Sequence, residues 1–315
     1  MAAAFIDGVQ SEGVGTSLKH YVANDQETRR FTMNAEVDER SLREIYLKPF
    51  EIAVKEAKPW TIMAAYPKLR EKHLCQNEYV LQEILREEYE YTGTIISDWS
   101  ATVDKVESHI NGLDIETGSF GRQDEMLTAI ENGKLSMEDV DEHVERVLEL
   151  VQKVRSGQKE ITVDWEAHHK LAREAAAESA VLLKNENGIL PLQRQSRVAV
   201  IGKFAREPHF KGGGSSTTNP QKLDLALTFI SRYAEIEYAE GYRAEKADNE
   251  LIEEAAHIAE GKDAVIIFIG TTEITESEGS DRENMLLPES HLELVHTLAK
   301  VNQNIIVVNS SGAPV

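Results

Sequence analysis

An α/β fold in two successive domains is what this sequence predicts, and three observations predict it. Short apolar stretches alternate with amphipathic segments from residue 16 to about 155, and a stretch without pattern, "SGQKEITVDWEA", follows at 156–167. Beyond it, nearly all-apolar runs are separated by helical patterns, the signature of a parallel sheet covered on both faces. With 315 residues the chain is long enough for two cores, and the boundaries are placed at 1–160 and 161–315, the second part including the connector.

In the first domain the strand-like stretches are 17–22, 61–66, 94–99 and 112–116. A helix is predicted after residue 136, because Val140, Val144, Val147, Leu148 and Val151 recur at three and four residues behind a Ser136/Asp139 cap. Val80, Leu81, Ile84 and Leu85 make a similar stripe from residue 78 onward. Both stripes are expected to pack into the core.

The second domain opens with helical "HHKLAREAAAESAVLLKN", with Leu171, Ala175 and Leu182 on one face. "RVAVIG" (197–202), "DAVIIFIG" (263–270) and "NIIVVNSSG" (304–312) are expected strands. "ADNELIEEAAHIAEG" and "PESHLELVHTLAKV" are the helices that precede the second and third of them.

Composition narrows the classes of function. A net charge of −21 argues against a nucleic-acid backbone or an anionic membrane as partner. The chain has no apolar run long enough to span a bilayer, and its single cysteine, Cys75, rules out an internal disulfide framework. A reducing cytoplasm suits both facts, and "MAAAFIDGVQSEGVG" does not read as a signal peptide.

Chemistry is expected at the strand ends, where parallel α/β barrels carry their reactive groups. "GTIISDWSA" runs from a buried-strand pattern straight into Asp98 and Trp99. Lys19 and His20, Tyr66, and Asp114 and Glu116 stand at the other ends. One such residue alone reads as a solvated loop group; recurrence at successive ends is what points to a site.

These residues sit in longer motifs. "GVGTSLKHYVANDQETRR", "PWTIMAAY", "GTIISDWSATVD", "INGLDIE", "AREAAAESAVLLKNENGILPL", "GGGSSTTNP" and "ESEGSDRENMLLPESHLELV" occur in one order along the chain. In that order they resemble family 3 glycoside hydrolases, the β-glucosidase group. The resemblance implies a (β/α)8-type barrel followed by an α/β sandwich, both partial here, with the active site in a cleft between the two. It further implies Asp98 as nucleophile, with Lys19 as its charge partner, and Lys19, His20, Arg30 and Tyr66 as groups that bind sugar hydroxyls or line the pocket. Trp99 offers an apolar face to the ring. The acid/base comes from "TTEITESEGSDR", where Glu278 matches the family pattern and Glu276 is the runner-up; by composition alone that stretch reads as a solvated acidic loop.

"FKGGGSSTTNP" lacks the ending of a phosphate loop and the spacing of a dinucleotide fingerprint. The resemblance instead puts Ser215 or Ser216 near the substrate. Departures from the family are Pro67 and the missing glycine turn in "AAYPKLREKHLC", and Ser100 where glycine is common. A whole barrel takes roughly 250 residues, and the family's earliest strands, with a sugar-gripping Asp and Arg, have no counterpart. The chain therefore reads as an internal piece of a longer one.

The expected activity is that of a retaining exo-β-glycosidase, a β-glucosidase acting on a small β-glucoside or short oligosaccharide without metal or organic cofactor. A β-xylosidase or another exo-β-glycosidase of the family, and a catalytically inactive carbohydrate-binding relative, are the alternatives. A homo-oligomer is left open.

Overall fold

A computed structural model of the chain describes residues 1–118, 121–243 and 245–315. They form two compact units, Met1–Thr162 and Val163–Val315.

In the first unit, β1 (Ser17–Tyr21), β3 (Thr61–Ala64) and β6 (Thr94–Ser97) lie side by side in a parallel sheet. A smaller sheet joins β2 (Asn34–Ala35) to β4 (Lys68–Leu69) in parallel and β4 to β5 (Lys72–His73) antiparallel. The main sheet is covered by helices that include Lys48–Ala57 and Tyr79–Glu88. The second of these ends in a wide turn, the Tyr89 N–H reaching back five residues to the Ile84 carbonyl at 2.9 Å. Its Val80, Leu81, Ile84 and Leu85 are fully buried against Tyr21, Leu42 and Ile95, so the stripe read from the sequence is core.

The fourth expected strand, 112–116, is reduced to one parallel bridge between Ile96 and Ile115. Side chains supplement the few main-chain bonds there. Asp114 Oδ2 accepts the Ile95 N–H at 2.7 Å, and Ser97 Oγ accepts the Thr117 N–H at 2.8 Å.

Helix Met137–Gly157 begins with the expected capping box, Ser136 and Asp139 bonding each other's main-chain N–H. Its stripe is only partly core. Val140 packs on Val106, Ala129 and Leu135, whereas Val144, Leu148 and Val151 are exposed.

Where the glycine turn was missed, Arg70 and Glu71 both hold positive φ, 51° and 70°, at the tip of the β4–β5 hairpin. L-residues pay for that conformation with steric strain. Tethers offset it: Asn34 Oδ1 accepts the Glu71 N–H at 2.7 Å, and Arg70 Nε donates to the Val37 carbonyl at 3.0 Å.

In the second unit, β7 (Arg197–Ile201), β8 (Glu235–Ala239), β9 (Ala264–Gly270) and β10 (Ile305–Ser310) form one parallel sheet in the order β10-β9-β7-β8. Every residue of β9 is buried. Helices Asn249–Ala259 and Glu289–Val301 seal one face through Ile252, Ala255, Leu294 and Leu298. β8 is the strand absent from the sequence reading. Its "EIEYA" alternates exposed glutamates with half-buried Ile236 and Tyr238, as an edge strand does.

Helix Trp165–Glu178 stops short of Leu182, and Leu171, Ala175 and Leu182 are all exposed. The expected apolar face is therefore not core within this chain. Among the described residues no helix is long and apolar enough to cross a membrane.

The strand order matters for the site. Winding reverses at β7, so the segments leaving the C-terminal ends of β7 and β9 flank the crevice where open α/β sheets hold ligands.

Candidate active site

Asp98 follows the last residue of β6 and is 9% exposed. Its N–H donates to the Ala64 carbonyl at the end of β3 at 2.8 Å, extending the parallel ladder by one residue. That bond fixes where the carboxylate leaves the sheet. Oδ1 then accepts the Trp99 N–H at 2.7 Å, and Oδ2 lies 3.6 Å from His20 Nε2. His20 comes from β1, on the far side of β3 from β6, so parallel strands of one sheet deliver their polar ends to one edge.

Among the described residues, the titratable side chain within 4 Å of the Asp98 carboxylate is that of His20 rather than Lys19. Lys19 is exposed, with its charge solvated. Burial holds the His20 imidazole below its ordinary range, Lys19 and Arg30 push it further down, and Asp98 and Glu27 pull against them. The neutral imidazole is thereby favoured, with the Asp98 carboxylate 3.6 Å away.

Arg30 pairs with Glu27 at 2.9 Å, and its guanidinium lies 4.7 Å from the centre of the Tyr66 ring. Phe31 packs on the same ring at 4.3 Å. Glu27 and Phe31 were not singled out from the sequence; the available signal was the spacing of Glu27 three residues before Arg30.

Trp99 is 62% exposed, which leaves most of its ring surface open. Beneath it Gly118 has a φ of 76°, and a Cβ there would meet the indole at 2.7 Å. Ser100 stands at φ 61°, a backbone position that glycine adopts without cost. Its hydroxyl donates to the Gly118 carbonyl at 2.9 Å, and its N–H to the Thr117 carbonyl at 2.8 Å. The serine is held where glycine would need no support.

The other polar groups at the end of the sheet are structural. Asp114 receives Arg86 at 2.7 Å, His143 at 2.7 Å and Arg146 at 3.1 Å, and its side chain has no exposure. Burial alone would raise the Asp114 carboxyl; those partners and the Ile95 N–H outweigh it and hold the group below the usual carboxylate range. Glu116 pairs with Lys105 at 2.6 Å. Cys75 is buried, and burial pushes its thiol up to about 12, with Asp98 and Glu116 adding to the effect. A neutral thiol of this kind is not a nucleophile.

In the second unit, the glycine-rich segment after β7 docks on the acidic segment after β9. The Gly213 N–H donates to the Glu276 carbonyl at 3.0 Å, and Gly213 bridges Ser277 in parallel. Only glycines permit this approach. A Cβ on Gly213 would come within 2.4 Å of Ser277 Oγ, and one on Gly214, at φ 77°, within 2.5 Å of Glu278 Cβ. The main-chain N–H of Ser215 then donates to Glu278 Oε2 at 2.8 Å. Ser216 turns its hydroxyl back to the Gly213 carbonyl at 3.1 Å.

The three glutamates of this stretch differ. Glu273 lines a cavity of about 860 Å³ together with Phe204, His209 and Tyr242. Glu276 Oε2 lies 3.2 Å from His209 Nε2, and Oε1 accepts the Gly312 N–H at 2.9 Å. Burial alone would raise the Glu276 carboxyl; the hydrogen bonds around it, from His209 and Gly312 among others, hold it below the usual range. Glu278 is exposed and carries the Ser215 contact.

Known proteins match along most of this chain. The glycosyl hydrolase family 3 N-terminal domain matches residues 1–150, and the glycosyl hydrolase family 3 C-terminal domain matches residues 180–315. Thermostable β-glucosidase B of Acetivibrio thermocellus is 44% identical over 324 aligned residues, which take in 100% of this chain and 43% of that protein. An exo-α-(1→6)-L-arabinopyranosidase of Bifidobacterium longum is 39% identical over 99% of this chain and 43% of that protein. The crystal structure of the GH3 β-glucosidase of Bifidobacterium adolescentis superposes with a TM-score of 0.93 at 41% identity, covering 99% of this chain and 47% of that one. The chain spans about half the length of the relatives it matches. The fold is α/β: part of a (β/α)8-type barrel, then part of an α/β sandwich with a parallel sheet. With both domains of one family matched in order along the chain, it belongs to glycoside hydrolase family 3.

Proposed function

We propose that the protein carrying this chain is a retaining exo-β-glycosidase that releases glucose from terminal β-D-glucosides. The observation that carries the reading is the placement of Asp98, a nearly buried carboxylate at the end of β6, in a chain 44% identical to a β-glucosidase along its whole length. Asp98 is the nucleophile. With Oδ1 held by the Trp99 N–H, Oδ2 is the oxygen left to attack the anomeric carbon. A covalent glycosyl ester forms as the bond to the leaving oxygen breaks.

Glu278 is the acid/base. Its carboxyl gives its proton to the leaving oxygen, and its carboxylate then takes a proton from the water that attacks the ester and frees Asp98. Glu276 suits this role less, because its surroundings favour the ionised form that has no proton to give. His20, Arg30, Lys19 and Tyr66 bind the sugar, with the Trp99 ring as its apolar platform. The Ser215 and Ser216 segment acts through Glu278, held by the Ser215 N–H.

A second reading is favoured by one finding, the 39% identity to an exo-α-(1→6)-L-arabinopyranosidase. An α-L-arabinopyranoside presents an equatorial anomeric bond, as a β-D-glucoside does, so the same two carboxyls would cleave it. Comparing kcat/KM of the full-length protein on para-nitrophenyl β-D-glucoside and para-nitrophenyl α-L-arabinopyranoside decides between them. Preference for the glucoside by about tenfold or more, with β-glucose as the first product by NMR, is expected. Preference for the arabinoside would replace the sugar assignment, and α-glucose as first product would overturn the retaining mechanism.

A further inference from the structure

We infer that Glu276 is a positioning residue that sets the acid/base Glu278 in place, an inference that rests on the role assigned to Glu278 above. Within the "ESEGSDR" motif, Glu276 spends both carboxylate oxygens on the protein itself. It joins three separate stretches of chain. Oε1 takes the N–H of Gly312, just past β10, at 2.9 Å, and Oε2 meets Nε2 of His209, in the segment after β7, at 3.2 Å. Its own carbonyl takes the N–H of Gly213 at 3.0 Å.

These contacts close a short mechanical circuit. Gly213 is two residues from Ser215, whose N–H holds Glu278 Oε2 at 2.8 Å. Glu278 is two residues from Glu276. Both ends of the Ser215–Glu278 hydrogen bond are therefore anchored by Glu276, one through its carbonyl and one through the chain. The anchor is stiff on its far side as well. The Glu276 side chain is 15% exposed and that of His209 9%, and the His209 ring stacks on Phe204 with centroids 5.5 Å apart at 19°. At Gly312 a Cβ would lie 3.0 Å from Glu276 Oε2, so that position too is shaped around the carboxylate. A buried carboxylate bonded by a main-chain amide and an imidazole holds a loop far more firmly than an exposed one, because breaking it leaves unpaired buried groups.

The test compares Glu276→Ala, Glu278→Ala, the double variant, and the pair His209→Ala and His209→Gln in the full-length protein. Each is assayed on aryl glucosides of good and poor leaving groups. Glu276→Ala is expected to lower kcat on poor leaving groups by about tenfold to a hundredfold, the range in which a misplaced catalytic group operates, and to spare good ones. The double variant should be no slower than Glu278→Ala, since both substitutions act through one carboxyl. His209→Ala should show a weaker form of the same pattern. His209→Gln, which restores an N–H near the position of Nε2, should recover most of it, and the His209 pair keeps the test open if Glu276→Ala does not fold.

Losses that multiply in the double variant, or wild-type kinetics in Glu276→Ala and His209→Ala, would overturn the inference while leaving Glu278 as the acid. If Glu278→Ala loses both substrate types equally, the assignment of Glu278 fails first. If only Glu276→Ala shows the selective pattern, Glu276 is itself the acid and both statements fall.

Discussion

His20 Nε2 stands 3.6 Å from Asp98 Oδ2, beyond hydrogen-bond reach but within the range of an ion pair, and burial favours the neutral imidazole. In the proposed mechanism a neutral histidine leaves the carboxylate oxygen free to attack, whereas an imidazolium would pair with it. The expected consequence is that His20→Ala lowers kcat/KM by about tenfold to a hundredfold through lost positioning while the covalent intermediate still forms. Stopped-flow detection of the intermediate checks this. Complete loss of the intermediate in His20→Ala would show that the histidine takes part in the chemical step itself.

Glu278→Ala should spare aryl glucosides with good leaving groups and lose about a hundredfold or more on alkyl glucosides, the usual contribution of a general acid. Azide should speed its turnover by intercepting the glycosyl-enzyme and give a β-glycosyl azide. Steady-state rates and product NMR read both effects; equal losses on both substrate types would remove Glu278 from the role.

Asp114 balances Arg86, His143 and Arg146 in a site its side chain shares with no solvent. Asp114→Ala would strand those cations and should destabilise the protein by about 3–5 kcal/mol, the cost of breaking a buried ion pair from one side. Glu149→Ala, on an exposed position of helix Met137–Gly157, should change stability by no more than about 0.5 kcal/mol. Urea unfolding of the two variants measures the difference, and equal midpoints would show that the network contributes no stability.

Burial pushes His291 down to about 4 from its ordinary 6.5, and its Nδ1 accepts the Gly270 N–H at 3.4 Å. Between those two pH values the unfolded chain takes up a proton that the folded chain refuses, so stability falls as pH falls. The contribution is complete above about pH 6.5, and about 3 kcal/mol of it is gone by pH 4. His291→Gln should flatten this slope even if it lowers stability at every pH. Denaturant unfolding at several pH values gives the slopes; an unchanged slope would move the acid sensitivity to other groups.

What the sequence made legible followed from local pattern. The buried runs that became β6, β7, β9 and β10 and the Ser136 capping box were readable because strand period and cap chemistry act within a few residues. β8 escaped notice because the glutamates of "EIEYA" face solvent at a sheet edge, where only half the residues need be apolar. The stripe around Leu171 read as one apolar face, and that face is exposed in this chain, since periodicity records that a face is apolar and not what covers it. Asp98 stood out as a charge at a strand end. The proposed division of labour between Glu276 and Glu278 did not, because the groups that distinguish them, His209, Ser215 and Gly312, lie between 36 and 67 residues away.

The account turns on Asp98 as nucleophile, and trapping the glycosyl-enzyme tests it most directly. Treat the full-length protein with a 2-deoxy-2-fluoro-β-glucoside bearing a good leaving group, digest it, and locate the added mass by tandem mass spectrometry. The account predicts one label, on Asp98, and none in Asp98→Ala. A label on any other residue, or hydrolysis of aryl β-glucosides that persists undiminished in Asp98→Ala, would contradict it.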